Sequence, residues 1–119
     1  MEPQVRSLEE METEQFPWGS ITWLVSGEIG NSESMTFGRV VIRRGERNGE
    51  HSHRNCDEIL HLLQGELEHT AGPDASFHLG PGDTITLPAG TRHYARSVGD
   101  RDAIMLVTYN TARREVDFE

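Results

Sequence analysis

From Ser20 onward the apolar positions fall in short runs with frequent breaks between them. Several of the runs alternate apolar with polar residues. Alternation with period two marks a strand that buries one face. Ile21 to Ser26 and Met35 to Arg43 alternate in this way, and further short runs cover Asp57 to Leu63, Glu66 to Thr70, Phe77 to Leu79, Thr84 to Leu87, Arg92 to Ser97 and Ala103 to Tyr109. Between them stand Gly27–Asn31, Gly45–Gly49, Gln64–Gly65, Gly72–Asp74, Gly80–Asp83, Pro88–Gly90 and Gly99–Asp100. Glycine supplies positive φ, proline fixes φ, and Asp or Asn caps its own turn. Many short strands with such turns predict an all-β sandwich or small barrel. Ahead of them, Ser7 to Glu10 has the spacing of a capping box, so a brief helix or an extended arm is expected there. The chain divides into an N-terminal arm over 1–19, a barrel over 20–112 and a C-terminal tail over 113–119, with no internal repeat or linker.

The 119 residues fit one domain. Hydrophobic residues are 34% and aromatics 7%, which makes a thin core and favours covering apolar surface with a partner. The run Ala103 to Tyr109 is apolar on both faces, and Ile59 and Leu63 share a face with His61 away from Leu60 and Leu62. Both features predict a homodimer formed sheet to sheet. The net charge of −9 argues against binding nucleic acid or an anionic membrane. Cys56 is the only cysteine, so no intrachain disulfide forms. The acidic start carries no apolar leader, and no run is long enough to span a bilayer. A cytoplasmic protein is expected.

The candidate chemistry lies between Gly45 and His93. His51 and His53 are two apart, so on a strand both imidazoles face one side and can chelate one ion. Glu58 follows on the next run and can add a carboxylate oxygen. His93 stands beside the turn Pro88–Gly90, where a barrel can bring it against the others. Imidazole and carboxylate together suit Fe, Mn, Ni, Cu or Zn as a single divalent transition metal.

These residues resemble two motifs of the cupin superfamily, in particular its small single-domain, cupin-2-like members. Gly45, His51, His53, Glu58 and Gly65 match the fixed positions of the first motif, G-(5)-H-x-H-(4)-E-(6)-G. Gly82, Pro88, Gly90 and His93 match the second, G-(5)-P-x-G-(2)-H-(3)-N, with Ser97 in place of the final Asn. The resemblance implies a double-stranded β-helix, or jelly-roll, of six to eight antiparallel strands. It implies metal ligation by His51, His53, Glu58 and His93, with open positions for water or substrate. Asp57 competes with Glu58 by residue type but breaks the spacing to Gly65.

Other residues read as structural. Cys56 has no base at a diagnostic spacing and is expected to be a plain structural or exposed thiol. His69 and His78 are expected at the surface. Trp23, Tyr94 and Tyr109 are expected to pack. Arg39 and Arg43 share a face that either lines a pocket mouth or meets solvent, while Val40 and Ile42 face the core. Fold alone does not fix function. The expected activity is that of a metal-dependent enzyme, a dioxygenase, isomerase or lyase, acting on a small oxygenated sugar-like, carboxylate or polyketide-like substrate. In the dioxygenase case it is an oxidoreductase. Glu58 is a candidate base. The reading from a different class is a non-catalytic module that binds metal and a small molecule.

Overall fold

A strand forms where one face of a short run can be buried, and all eight runs read from the sequence become strands, with clear period-two burial on β3, β5, β6 and β10. The computed structural model describes residues 1–118. After a single 3-10 turn at Leu8–Glu10 come β1 (Thr13–Phe16), β2 (Gly19–Val25), β3 (Thr36–Ile42), β4 (His51–Ser52), β5 (Glu58–Gln64), β6 (Leu67–Thr70), β7 (Ser76–Leu79), β8 (Thr84–Leu87), β9 (Ala95–Ser97), β10 (Ala103–Tyr109) and β11 (Asp117–Phe118). The alternation did not mark β1, β4 and β11, which are two to four residues long. The Glu10 carboxylate accepts from the Ser7 backbone N–H at 2.7 Å, as the expected capping box requires.

All the strand pairings are antiparallel. The large sheet runs β1-β2-β3-β10-β5-β8, a smaller one β7-β6-β9, and β11 pairs with β4. Val40 and Ile42 of β3, Leu60 and Leu62 of β5 and Met105 and Val107 of β10 meet Leu67, Leu79 and Ala95 of the smaller sheet in one core. Ile42, Leu62 and Leu67 are wholly buried, each contributing about 1.5–3 kcal/mol of hydrophobic free energy. The result is the antiparallel jelly-roll barrel expected. Among the described residues no helix is long and apolar enough to cross a membrane.

Alternation also fixes what lies outside. On β5, Glu58, Leu60 and Leu62 are buried while Ile59 and Leu63 are nearly half exposed. On β10, Ile104 and Leu106 stay half-buried on the outer face. Val41 lies across from Ile104, and Leu106 stands between Arg39 and His61. Arg39 therefore belongs to the outer sheet face, and Arg43 reaches back to the Pro17 carbonyl. Neither lines a pocket mouth.

His69 overturns an expectation. It is 1% exposed rather than at the surface, because Leu67 faces inward and period two turns His69 the same way. His78 on β7 is exposed and bonds the Glu68 carboxylate at 2.9 Å. Cys56 is buried in the core, and burial pushes its thiol pKa up.

Gly65 and Gly90 separate two costs of a side chain. Both have positive φ, +87° and +84°. A Cβ on Gly65 would meet the Asp102 carbonyl and the Ala103 Cα at 2.9 Å, whereas one on Gly90 meets nothing within 4 Å. Gly90→Ala is expected to cost about 1 kcal/mol for the left-handed backbone alone. Gly65→Ala is expected to cost about 3 kcal/mol, because backbone atoms must also move. Urea midpoints at constant m measure the difference, and equal costs would refute the steric argument.

Candidate metal centre

The two-residue strand β4 is too short to hold itself, so its neighbours place it. His51 and His93 exchange both backbone hydrogen bonds, His51 N to His93 O at 3.0 Å and His93 N to His51 O at 2.8 Å. Gly90 N donates to the His53 carbonyl at 2.8 Å, which fixes the Pro88–Gly90 turn beside the histidine pair. Glu58 opens β5 between Leu87 and Tyr109. Side chains from four separated positions thus point at one spot. A nitrogen of each of His51, His53 and His93 and an oxygen of Glu58 all lie within 4.8 Å of one another. His93 Nε2 is 3.1 Å and His53 Nε2 3.3 Å from Glu58 Oε1. His53, Glu58 and His93 are buried, and His51 is half-buried.

Each ring is oriented by a backbone carbonyl. His51 Nδ1 donates to Gly49 O at 2.7 Å, His53 Nδ1 to Glu115 O at 2.9 Å and His93 Nδ1 to Thr91 O at 2.8 Å. A carbonyl only accepts, so Nδ1 carries the hydrogen in all three rings. Nε2 is the atom left to face the centre, the arrangement that prepares imidazoles as metal ligands. His53 Nε2 is buried and has no hydrogen-bond partner among the described residues. An orphaned buried lone pair is costly unless something electropositive meets it. The donor set and this orphan fit a divalent transition metal.

The electrostatics agree. Burial alone would push the Glu58 carboxyl up, but the His93 ring, hydrogen-bonded to it at 3.1 Å, outweighs burial and holds the group well below the usual range. Burial, with His93 next to it, lowers His51 to about 4. For His93, burial is outweighed by the Glu58 carboxylate, and its pKa is raised. At neutral pH His51 therefore offers a bare lone pair, while the raised pKa of His93 favours keeping its Nε2 proton on Glu58. An ionised Glu58 held this low is a weak base.

Two further groups flank the centre. The His69 ring stacks on His93, centroids 5.5 Å apart and 19° from parallel, and its Nδ1 donates to Thr70 O at 2.8 Å. Tyr109 packs edge-on against His53 at 5.0 Å. Burial first, and then the Glu58 carboxylate, pushes its phenol pKa far up, so it stays protonated. Neither residue was read as part of the site. The signal for both was the inward period-two position on β6 and β10. Asp57 turns away and accepts from Ala89 N at 2.9 Å. Cys56 is not one of the converging groups. Trp23 packs as expected, 6.3 Å from Tyr109 with Arg114 over its ring, and Tyr94 lies under Arg47.

Known proteins share this frame. Over 106 residues the chain is 29% identical to "Polyketide synthase CurC" of Streptomyces cyaneus, covering 89% of this chain and 68% of that protein. It is 32% identical to "Germin-like protein 3-8" of Oryza sativa subsp. japonica, covering 68% of this chain but only 38% of that protein. Among solved structures, oxalate decarboxylase of Lactobacillus farciminis superposes with a TM-score of 0.84 at 19% identity, over 92% of this chain and 34% of that one. A Bacillus subtilis oxalate decarboxylase studied for its Mn(II) centres gives 0.85 at 20% identity, over 93% of this chain and 30% of that one. The chain thus spans about a third of each oxalate decarboxylase. At such identity these two likenesses speak for the fold. The cupin domain model matches residues 38–109. That stretch is more than half of the chain and holds all four converging side chains, so the chain belongs to the cupin domain family.

Proposed function

We propose that the protein is a metal-dependent enzyme that acts on a small, polyketide-like oxygenated molecule. The observation that carries the reading is the convergence of three Nε2 atoms, each fixed by a carbonyl on Nδ1, with one buried carboxylate. His51, His53, Glu58 and His93 hold one divalent transition metal. A metal there supplies Lewis acidity toward substrate oxygens and, if it is iron or nickel, a route to dioxygen chemistry. Glu58 stays ionised and offsets the positive charge. Tyr109 keeps its proton beside Glu58 and closes the His53 side of the site with an aromatic wall. His69 is no ligand. With Nδ1 committed to Thr70, its Nε2 lone pair can take a hydrogen bond or a proton from a bound molecule. A polar group of this kind beside the donors favours an enzyme over a plain binding module. The polyketide-type substrate class rests on the Streptomyces relative, whose length is matched over 68%. Bound iron favours dioxygenation, and bound zinc or manganese favours isomerase or lyase chemistry.

Metal analysis of protein purified without chelators or a metal-affinity column tests this. About one equivalent per chain is expected, with affinity at least about a hundredfold weaker in His51→Ala and His93→Ala. His69→Phe should keep the metal and lose turnover of hydroxyaromatic and 1,3-dicarbonyl compounds. If no transition metal is taken up even on addition, the metal reading fails. If metal binds and no turnover of any probe follows, the chain is a binding module.

Metal binding should also displace the proton that His93 holds. Because the His93 pKa is raised, that proton is present below it and lost above it. Affinity is therefore expected to rise with pH through that range and then level off. Calorimetry in buffers of different ionisation enthalpy should show protons released on metal binding at low pH, the release fading as pH rises through the His93 pKa. No release would mean that His93 is already neutral.

A second copy of the chain covers the outer face of the large sheet. Ile59, Leu63, Ile104, Leu106 and Val41 are contiguous there and half-buried or exposed. Sedimentation velocity should show a dimer, and Leu106→Lys should shift it to monomer with the metal content unchanged. A monomeric wild-type protein rules the pairing out.

A further inference from the structure

The segment after β10 does more than end the sheet. Thr36 Oγ1 donates to Thr111 O at 2.7 Å and Gly27 N to Ala112 O at 2.9 Å, which anchors its start. Two residues past His53, the Asn55 side chain grips the next stretch twice. Asn55 Nδ2 donates to Arg113 O at 2.9 Å, and Glu115 N donates to Asn55 Oδ1 at 2.9 Å. One primary amide, donor and acceptor together, thus imitates the edge of a strand, which neither Asp nor Leu can do. The grip sets Glu115 O at 2.9 Å from His53 Nδ1. Beyond it β11 pairs Asp117 with Ser52 and Phe118 with His51. The Phe118 ring lies 5.8 Å from the His51 ring while remaining 71% exposed. So exposed a phenylalanine adds little to the core, and its place beside His51 needs another reason. Arg54 bonds both Glu115 and Asp117, but these pairs are open to solvent and contribute little.

We infer that residues 111–118 form a strap belonging to the metal centre, with Asn55 as the positioning residue that clasps it. By holding Glu115 O on His53 and β11 on β4, the strap fixes the two ligands of the His51–His53 pair from the side opposite His93. This inference rests on the metal reading above. It adds a requirement that the four ligand residues alone do not carry.

Cobalt(II) titration followed by absorbance tests it, with wild type, Asn55→Ala, Asn55→Asp and a chain shortened after Arg114. Asn55→Ala and the shortened chain are expected to bind about 10–100-fold more weakly, as when a partner of a ligating histidine is lost. Their saturated cobalt spectra should differ from wild type, a change that a merely stabilising segment does not produce. Asn55→Asp keeps the acceptor for Glu115 N and should fall between. If Asn55→Ala does not fold, the shortened chain, which retains Asn55, decides. Wild-type affinity and spectrum in the variants would overturn the strap and leave the metal reading standing. A wild-type chain that takes up no cobalt overturns both.

Discussion

Three backbone carbonyls govern the centre. Gly49 O, Thr91 O and Glu115 O come from separate loops, and each accepts from the Nδ1 of one of the three converging histidines. Because a carbonyl has no hydrogen to give, the tautomer is settled before any ligand arrives, and all three rings present Nε2. Each loop must itself be held in place. The double bridge between His51 and His93 holds one side of β4, and β11 holds the other. A strand of two residues is marginal alone. Bracketed in this way it carries His51 and sets the chain that leads directly into His53.

The barrel interior is graded along its strands. On β5 the inward row runs Glu58, Leu60, Leu62, and on β10 Tyr109, Val107 and Met105 stand directly across from them. On β6 Leu67 gives way to His69. Apolar packing at one end thus passes into polar groups at the other without any break in alternation. The grading matters because a buried carboxylate is expensive. Left alone, Glu58 would cost several kcal/mol of desolvation. Without metal, the His93 proton partly offsets that cost. A divalent cation, meeting the orphaned His53 Nε2 as well, would offset more of it. The same gradient explains the thin core, since part of the interior is given over to donors.

Period two made most of this legible in the sequence. The eight short runs became strands, and period two put Glu58 inside with Leu60 and Leu62 and left Ile59 and Leu63 outside. The spacing of His51, His53, Glu58 and His93 matched four side chains that do converge. Ser97, which departs from the family motif, is held through its backbone, with Gly45 N donating to its carbonyl at 3.0 Å and its own N–H to Glu46 O at 2.9 Å. A different side chain there leaves the chain path intact. β1, β4 and β11 were illegible for a physical reason. None of the three has an inward apolar row, so nothing imposes alternation, and pairing with neighbouring strands alone decides them.

His69 and Asn55 escaped notice for opposite reasons. His69 carried the signal, an inward position two residues after Leu67, but histidine is so common at surfaces that residue type overruled position. A polar residue in register with a buried apolar one, on a strand beside the donors, is better read as facing the site. Asn55 carried no periodic signal at all. It lies in a turn, where asparagine ordinarily bonds its own backbone, and its partners Arg113 and Glu115 are about sixty residues away. Nothing in local sequence could distinguish a turn amide from a clasp. The distinction exists only once β10 has crossed the barrel and brought the following segment alongside β4.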